Sequence, residues 1–264
     1  MKEITALTLV LLFCRSLAAQ PDSTGYYHSF DGVKIYYETK GSGQPVVLLH
    51  GFTGTGTEWK TKPIFDSLAN HGFKVIIADL RGNGKSDQPA TPEAYADDAE
   101  AKDIIGLLQF LSVKNYYAIG YSRGSIILAR ILVKDTNCVK AVMGGMGADF
   151  TNPQWPRRLA FYNALVNDSI QGFEDFRKYI AGKGLDPEVL ACQQKEQPST
   201  SKEELAALAQ QVLVICGTED SDNGKGGALQ SLIPQSVFIE VPGDHNHTAQ
   251  TVAFATAVIR FLEK

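Results

Sequence analysis

The sequence predicts an α/β protein with a mainly parallel, doubly wound sheet, an N-terminal β-hairpin and a small helical lid. Continuous apolar runs recur along the chain, as is typical of parallel strands buried on both faces. Segments whose apolar residues have helical spacing alternate with these runs. This alternation indicates right-handed βαβ crossovers, and hence a parallel sheet with helices on both sides.

The elements can be followed in order. A hairpin is predicted around Asp31-Gly32 in "YYHSFDGVKIYYETKG", because Asp-Gly between β-rich runs favours a tight turn. Helices are predicted over 58–71, 95–111, 122–133 and 227–232, and a last one ends at 262. The strands predicted between them are "PVVLLHG", "FKVIIADLRG", "NYYAIGY", "CVKAVMGG", "VLVICG" and "SVFIEVPG".

The alternation stops between Gly145 and Gln211, where no buried strand is evident. We therefore predict one domain over residues 20–264, with a helical lid inserted at about 147–197. Aromatic residues on this segment indicate an apolar acyl or aryl pocket, although covering the core explains them equally well. They are Trp155, Phe161, Tyr162, Phe173, Phe176 and Tyr179.

The first residues follow the order of a secretory signal. Lys2 precedes an apolar run over 4–13, and small residues stand at Ala18 and Ala19. The run is too short to span a bilayer as a helix. Residues 1–19 are therefore predicted to be a cleaved signal peptide, which implies a periplasmic or secreted protein without a stable membrane anchor. A retained N-terminal helix or anchor is the alternative.

The composition and charge of the chain limit the classes of partner that are expected. The chain has 264 residues, is 44% hydrophobic, and carries a net charge of −4 with no basic stripe, so nucleic acid is not an expected partner. After signal removal the cysteines are Cys138, Cys192 and Cys216. They form no C-x-x-C pair, and at most one disulfide can join three of them.

A G-x-S-x-G motif occupies Gly120–Gly124 and joins a predicted buried strand to an apolar helix. This is the context of a nucleophile elbow, in which a sharp turn lifts the hydroxyl of Ser122 above the sheet. The positive end of the following helix favours developing negative charge. The alternative is that Ser122 merely caps a buried helix.

A serine nucleophile needs a base and a carboxylate that orients the base. Asp220 follows the strand "VLVICG", and His245 follows the strand "SVFIEVPG". All three side chains come just after strand ends, where open α/β sheets place their sites. Glu219 and His247 are the neighbouring alternatives.

An oxyanion hole needs two N–H groups aimed at the developing charge. The residue after the nucleophile, Arg123, is predicted to supply one. The glycine-rich loop "HGFTGTG" after the first buried strand is predicted to supply the other, from Phe52. A merely flexible loop is the alternative reading of these glycines.

Together these motifs resemble the α/β-hydrolase fold superfamily, in its single-domain, esterase-like branch. The resemblance spans about residues 26–264. It implies catalytic roles for Ser122, Asp220 and His245, and a structural loop at Asp79, Arg81 and Gly84. The pieces that carry it are "HGFTG", "ADLRGNGKSDQP", "GYSRGS", "ICGTED", "PGDHNHT" and "AVIRFL".

The sequence departs from the family pattern at Arg123, where Met, Gln or Leu is common. Three explanations are open for its side chain. It is solvated, or it binds an anionic group of the substrate, or it pairs with a carboxylate and braces the oxyanion loop. The structural explanation is preferred, with Glu58 and Asp79 as candidate partners.

The predicted function is hydrolysis of a carboxylic ester, thioester or lactone through an acyl-Ser122 intermediate, with a small-molecule acyl substrate and no cofactor or metal. A lyase or peroxidative enzyme on the same triad, and a low-turnover ligand-binding receptor, are the alternatives. Epoxide hydrolases and dehalogenases need a carboxylate nucleophile. A P-loop in "RGNGKS" is rejected, because Asp79 stands where that motif needs glycine.

Overall fold

The computed structural model describes residues 22–264, and the signal peptide predicted over residues 1–19 lies outside them. The strands are β1 (Ser23–His28), β2 (Lys34–Lys40), β3 (Gln44–Leu49), β4 (Phe73–Ala78), β5 (Tyr116–Tyr121), β6 (Cys138–Gly144), β7 (Gln211–Gly217) and β8 (Ser236–Val241). They form one eight-stranded sheet with the order β1-β2-β4-β3-β5-β6-β7-β8. The pairs β1–β2 and β2–β4 are antiparallel, and the other five pairs are parallel. The predicted fold class is therefore confirmed.

The predicted hairpin is formed by β1 and β2, with Ser23 opposite Thr39 and His28 opposite Lys34. Its turn includes Asp31-Gly32 and is closed by a hydrogen bond from the Ser29 N–H to the Val33 carbonyl. The hairpin adds an antiparallel edge to the parallel sheet.

Helices cover both faces of the sheet. They are α1 (Pro63–Asn70), α2 (Ala99–Phe110), α3 (Arg123–Lys134), α4 (Pro156–Val166), α5 (Glu174–Gly182), α6 (Pro187–Lys195), α7 (Lys202–Ala206), α8 (Gly226–Gln230) and α9 (Val252–Leu262). On one face, α1 and α9 pack on Val46, Ile77 and Ile215. On the other face, α2, α3 and α8 pack on Val47, Ile76 and further strand residues.

The helix predicted over 58–71 is in fact two elements, a 3₁₀ segment over Gly56–Thr61 and then α1. The break lies at Pro63, the first residue of α1. Proline lacks an N–H and fits the first position of a helix, so it begins a new helix rather than continuing one.

The segment predicted as a lid, at about 147–197, contains α4, α5 and α6. Leu165, Ile180 and Leu190 join these helices in a small apolar cluster. Phe52 of the loop after β3 packs against this cluster. The lid helices thus lie over the carboxyl end of the sheet.

The three cysteines within the described residues are buried and free. Cys138 and Cys216 lie in β6 and β7, as predicted from their apolar surroundings, and Cys192 lies in α6. Among the helices of residues 22–264, none has the length and apolar character that a membrane crossing requires.

Candidate active site

Ser122 lies at the sharp turn between β5 and α3. Its φ is 54° and its ψ is −125°, a combination that non-glycine residues rarely adopt. The flanking glycines make the turn possible. A Cβ at Gly120 would lie 2.4 Å from the Gly124 carbonyl oxygen, and one at Gly124 would lie 2.4 Å from the Leu49 carbonyl oxygen. The elbow geometry predicted for G-x-S-x-G is therefore present.

Hydrogen bonds from the backbone of Ser122 and the side chain of Ser125 hold the elbow in place. The Ser122 N–H donates to the Gly144 carbonyl at 2.8 Å. The buried Ser125 hydroxyl lies 3.0 Å from the Gly120 carbonyl oxygen and 2.9 Å from that of Gly144. Ser125 directly follows the second glycine of the motif, and its hydroxyl ties α3 to the ends of β5 and β6.

The structure brings together the serine, acid and histidine predicted from the sequence. His245 Nε2 lies 2.9 Å from Ser122 Oγ. His245 Nδ1 lies 2.9 Å from one carboxylate oxygen of Asp220 and 3.1 Å from the other. The Asp220 side chain is 3% exposed and that of His245 is 13% exposed. This is the geometry in which a carboxylate holds the Nδ1–H tautomer and leaves Nε2 free to accept a proton.

The neighbouring alternatives lie elsewhere. His247 Nδ1 pairs with Asp244 at 2.7 Å, and the His247 side chain is 69% exposed. Glu219 is exposed, and its N–H donates to the Gly243 carbonyl. Within residues 22–264 neither side chain forms a hydrogen bond with Ser122 or His245.

Two further residues hold His245, and the sequence interpretation missed both. The Tyr121 hydroxyl donates to the His245 carbonyl at 2.7 Å, and burial raises the pKa of this phenol, so it keeps its proton at neutral pH. The Asn223 amide donates to the Gly145 carbonyl at 3.0 Å and lies 3.4 Å from His245 Nε2. Neither residue could be recognised from the sequence. Tyr121 occupies a position of G-x-S-x-G at which any residue is allowed, and Asn223 belongs to no helical or strand pattern.

The two predicted oxyanion donors lie beside Ser122. Arg123 is the first residue of α3, so its N–H has no acceptor within the helix. Across the site, a Cβ built on Gly51 would lie 3.9 Å from Ser122 Oγ. The next N–H, that of Phe52, makes no hydrogen bond within the described residues. Both groups are free to receive an oxyanion.

Side chains from the neighbouring loop hold the oxyanion loop in place. The Asn83 amide donates to the Phe52 carbonyl at 2.9 Å and the Gly54 carbonyl at 3.1 Å. Asp79 accepts from the Gly56 N–H at 2.7 Å. In turn Gln193 of α6 donates to the Asn83 side-chain oxygen at 2.9 Å. The lid and the oxyanion loop are therefore joined by hydrogen bonds.

The Arg123 side chain is paired, but the predicted partners, Glu58 and Asp79, are wrong. Its two terminal nitrogens lie 2.6 and 2.5 Å from the carboxylate oxygens of Glu100, and both side chains are almost fully buried. Glu58 lies instead 3.6 Å from Lys183. The reason is packing, because α2 lies beside α3 and brings Glu100 to the elbow. The guanidinium also lies 6.0 Å from the centre of the Phe52 ring.

His50, at the start of the oxyanion loop, is a buried neutral histidine. Its Nδ1–H donates to the Gly51 carbonyl at 2.7 Å, and its Nε2 accepts from the Leu80 N–H at 3.0 Å. If Nε2 were protonated as well, its proton would point at the Leu80 N–H, and the hydrogen bond would be lost. Burial lowers the pKa of His50 from its ordinary 6.5 to about 4.

We expect this histidine to make the fold sensitive to acid. The unfolded chain binds a proton at His50 below about pH 6.5, and the folded chain only near pH 4, so stability is lost as the pH falls. From about pH 7 to about pH 4.5 this loss is expected to be about 2 kcal/mol. Urea unfolding of the wild type and His50→Gln at both pH values measures it. The variant should show a smaller loss, and parallel losses would contradict the assignment.

Two adjoining cavities meet at Ser122 and His245. An inner pocket of about 90 Å³ extends under the lid, and its lining combines apolar residues such as Ile126, Met146 and Trp155 with polar and charged ones. An outer groove of about 610 Å³ opens past the oxyanion loop toward solvent. A further depression, about 880 Å³, lies beside the lid and contains none of the three reacting side chains. The inner pocket and the outer groove can hold the two sides of a bond attacked by Ser122.

Fold and site together define an α/β protein with a serine, a histidine and an aspartate at the carboxyl ends of its strands. A family model described as alpha/beta hydrolase fold matches residues 44–173. A bromoperoxidase from Bacillus anthracis is similar in structure, with a TM-score of 0.76 and 25% identity over 92% of this chain and 100% of that one. The chain belongs to the α/β-hydrolase fold superfamily.

Other similar proteins are named as an esterase, an epoxide hydrolase and a chloroperoxidase. An esterase from Exiguobacterium antarcticum superposes with a TM-score of 0.76 at 22% identity, over 90% of this chain and 99% of that one. Epoxide hydrolase 3 of Siraitia grosvenorii is 29% identical over 52% of this chain. The non-heme chloroperoxidase of Streptomyces lividans is 35% identical over 39% of this chain. The chain spans 43% and 37% of the lengths of these last two relatives.

Proposed function

We propose that this α/β-hydrolase is a serine hydrolase that cleaves a carboxylic ester, thioester or lactone through an acyl-Ser122 intermediate. The observation that carries the proposal is the hydrogen-bonded chain from Ser122 through His245 to Asp220, with the serine on a strained elbow. Opening an epoxide or displacing a halide by direct attack requires a carboxylate nucleophile, and a serine occupies that position here.

The reaction follows from this geometry. His245 Nε2 takes the proton of Ser122 Oγ as the oxygen attacks the acyl carbon, and Asp220 stabilises the imidazolium through Nδ1–H. The N–H groups of Phe52 and Arg123 receive the oxyanion, aided by the positive end of α3. His245 then gives its proton to the leaving group. A water molecule, activated by the same nitrogen, releases the acid and restores Ser122.

A peroxidative reaction is the second candidate, because the structural relative at 25% identity is named a bromoperoxidase. Hydrogen peroxide would take the place of water, and its attack on acyl-Ser122 would release a percarboxylic acid. Bromide oxidation in the presence of acetate and peroxide detects this product. Its rate relative to ester hydrolysis distinguishes the two functions.

Fluorophosphonate labelling followed by peptide mass spectrometry tests the nucleophile. We expect one label per chain, on Ser122. His245→Ala should abolish labelling, since Ser122 then lacks its base, whereas His247→Ala, at the exposed histidine two residues away, should label at the wild-type rate. Loss of labelling in His247→Ala alone would reverse the assignment of the base.

Labelling alone does not separate an enzyme from a receptor that retains the triad. Steady-state turnover of 4-nitrophenyl acetate and butyrate provides that separation. A hydrolase releases nitrophenol long after the first equivalent, and a typical rate is on the order of 10 s⁻¹. Release that stops after one equivalent would favour the low-turnover receptor.

A further inference from the structure

The inner pocket has an unusual charge for a site that accepts acyl groups. Three arginines line it, namely Arg123, Arg157 and Arg158, and none of its lining residues is acidic. Arg123 is neutralised by Glu100. Arg157 pairs with Asp222 at 3.2 Å, but both side chains are well exposed, and such pairs contribute little.

Arg158 has no carboxylate partner within the described residues. Its terminal nitrogens donate only to backbone carbonyls, those of Gln194, Lys195 and Pro153. Its Nε–H is buried and has no acceptor. Burial lowers the pKa of this guanidinium below its ordinary value, yet arginine stays protonated at neutral pH. Arg158 is therefore a partly desolvated cation without an ion pair, and the nearby Glu196 carboxylate, which raises its pKa, does not offset the effect of burial.

The position of these arginines in the chain adds a second argument. Arg157 and Arg158 lie in the first turn of α4, which contains no acidic residue. The positive end of a helix normally carries Asp or Glu, and cations are unfavourable there. An anion in the inner pocket would be attracted both by the guanidinium groups and by the helix end. The lid thus places its positive charges where a bound anion would compensate them.

Resting on the proposed function, we infer that the inner pocket takes an acyl group that ends in a carboxylate, with Arg158 as the specificity-determining residue. The volume of about 90 Å³ sets the length of that group. A cavity of about 150 Å³ holds benzene, which has six non-hydrogen atoms, so this pocket of about 90 Å³ accommodates roughly four. When the first CH₂ of a succinyl group lies at the mouth beside Ser122, the remaining CH₂COO⁻ has the four atoms that the pocket takes. The substrate class is a short dicarboxylic half-ester, half-thioester or carboxylated lactone.

Two esters of matched size test the inference. Monomethyl succinate carries the carboxylate, and methyl 4-methylpentanoate carries in its place an isopropyl group with the same number of non-hydrogen atoms. The acid released from each is followed by titration at constant pH. The wild type is expected to favour the succinate. In Arg158→Gln the kcat/KM for monomethyl succinate should fall roughly tenfold to hundredfold, the effect of losing a charged hydrogen bond, while the neutral ester changes less than about threefold.

Arg177 supplies the matched control. This lid arginine also donates to backbone carbonyls, those of Ala164 and Ile170, but it lines neither the inner pocket nor the outer groove. Arg177→Gln should leave the ratio of the two kcat/KM values unchanged. Arg158→Lys keeps the charge with fewer contacts, and it should retain a preference for the succinate if Arg158→Gln does not fold.

The outcomes separate the two proposals. Equal losses for both esters in Arg158→Gln would show a purely structural role and overturn the inference. A wild type that prefers the neutral ester would overturn it as well, and would leave the serine hydrolase intact. Hydrolysis of either ester that survives in Ser122→Ala would instead overturn the proposed function.

Discussion

Replacing Ser122 by alanine is expected to lower kcat by about three orders of magnitude or more, while the free energy of unfolding changes by less than about 1 kcal/mol. The loss follows because no other hydroxyl lies within hydrogen-bonding distance of His245 Nε2 in the described residues. Stability is retained because alanine occupies the same strained backbone at no greater cost. Steady-state hydrolysis and urea unfolding of the purified variant measure both quantities.

Ser125, one helical turn further along α3, provides the matched control. Its buried hydroxyl bonds the carbonyls of Gly120 and Gly144 and does not reach His245. Ser125→Ala should therefore cost about 1–3 kcal/mol of stability and lower kcat by less than about tenfold. A variant Ser122→Ala that kept a tenth of the wild-type kcat would contradict the assignment of the nucleophile.

The site residues that could be predicted are those that come directly after a strand in the sequence. Ser122 and Asp220 each follow a buried strand, and His245 follows the edge strand β8, in which Val237 and Ile239 are exposed. The parallel sheet brings the carboxyl ends of these strands to one edge. Local sequence therefore placed all three side chains without knowledge of any long-range packing. The antiparallel hairpin was predictable because its signal, the Asp31-Gly32 turn, is also local in the sequence.

The partner of Arg123 could not be predicted in this way. Glu100 lies 23 positions away, and the contact depends on how α2 packs against α3. One signal was present in the sequence. Glu100 precedes Ile104 by one helical turn, so it shares the buried face of α2 with that apolar residue. A charged residue on an apolar face indicates a buried partner of opposite charge.

The lid was predictable only in outline. Its helices lie between β6 and β7, outside the sheet, so no rule of strand order limits how they pack. Arg158 acquires its place through this packing. The two adjacent arginines after Pro156 gave a weak signal, because they begin a helix with the wrong charge.

Breaking the ion pair between Arg123 and Glu100 is expected to have the largest effect on stability. Both side chains are 3% exposed or less, and the pair is bidentate. Removing either partner leaves a buried charge without compensation, which costs about 3–5 kcal/mol. Arg123→Met and Glu100→Leu should each lose about this amount in urea unfolding. Glu100→Gln, which keeps one acceptor, should lose less and still fold.

The double variant Arg123→Met/Glu100→Leu distinguishes a lost ion pair from poor packing. Replacing a buried pair by apolar residues is often close to neutral, so the double variant should lie within about 2 kcal/mol of the wild type. If the two single losses simply add, the pair is not what stabilises the elbow.

Activity decides whether Arg123 has any role besides this pair. Its guanidinium faces Glu100 and the Phe52 ring, so its loss should disturb the oxyanion loop for every substrate. In Arg123→Met the kcat values for monomethyl succinate and methyl 4-methylpentanoate should therefore fall by the same factor. A rise in KM confined to the succinate, with unfolding unchanged, would instead make Arg123 the anion-binding residue. The contrast with Arg158→Gln, which should affect only the succinate, separates the arginine that braces the elbow from the arginine that selects the substrate.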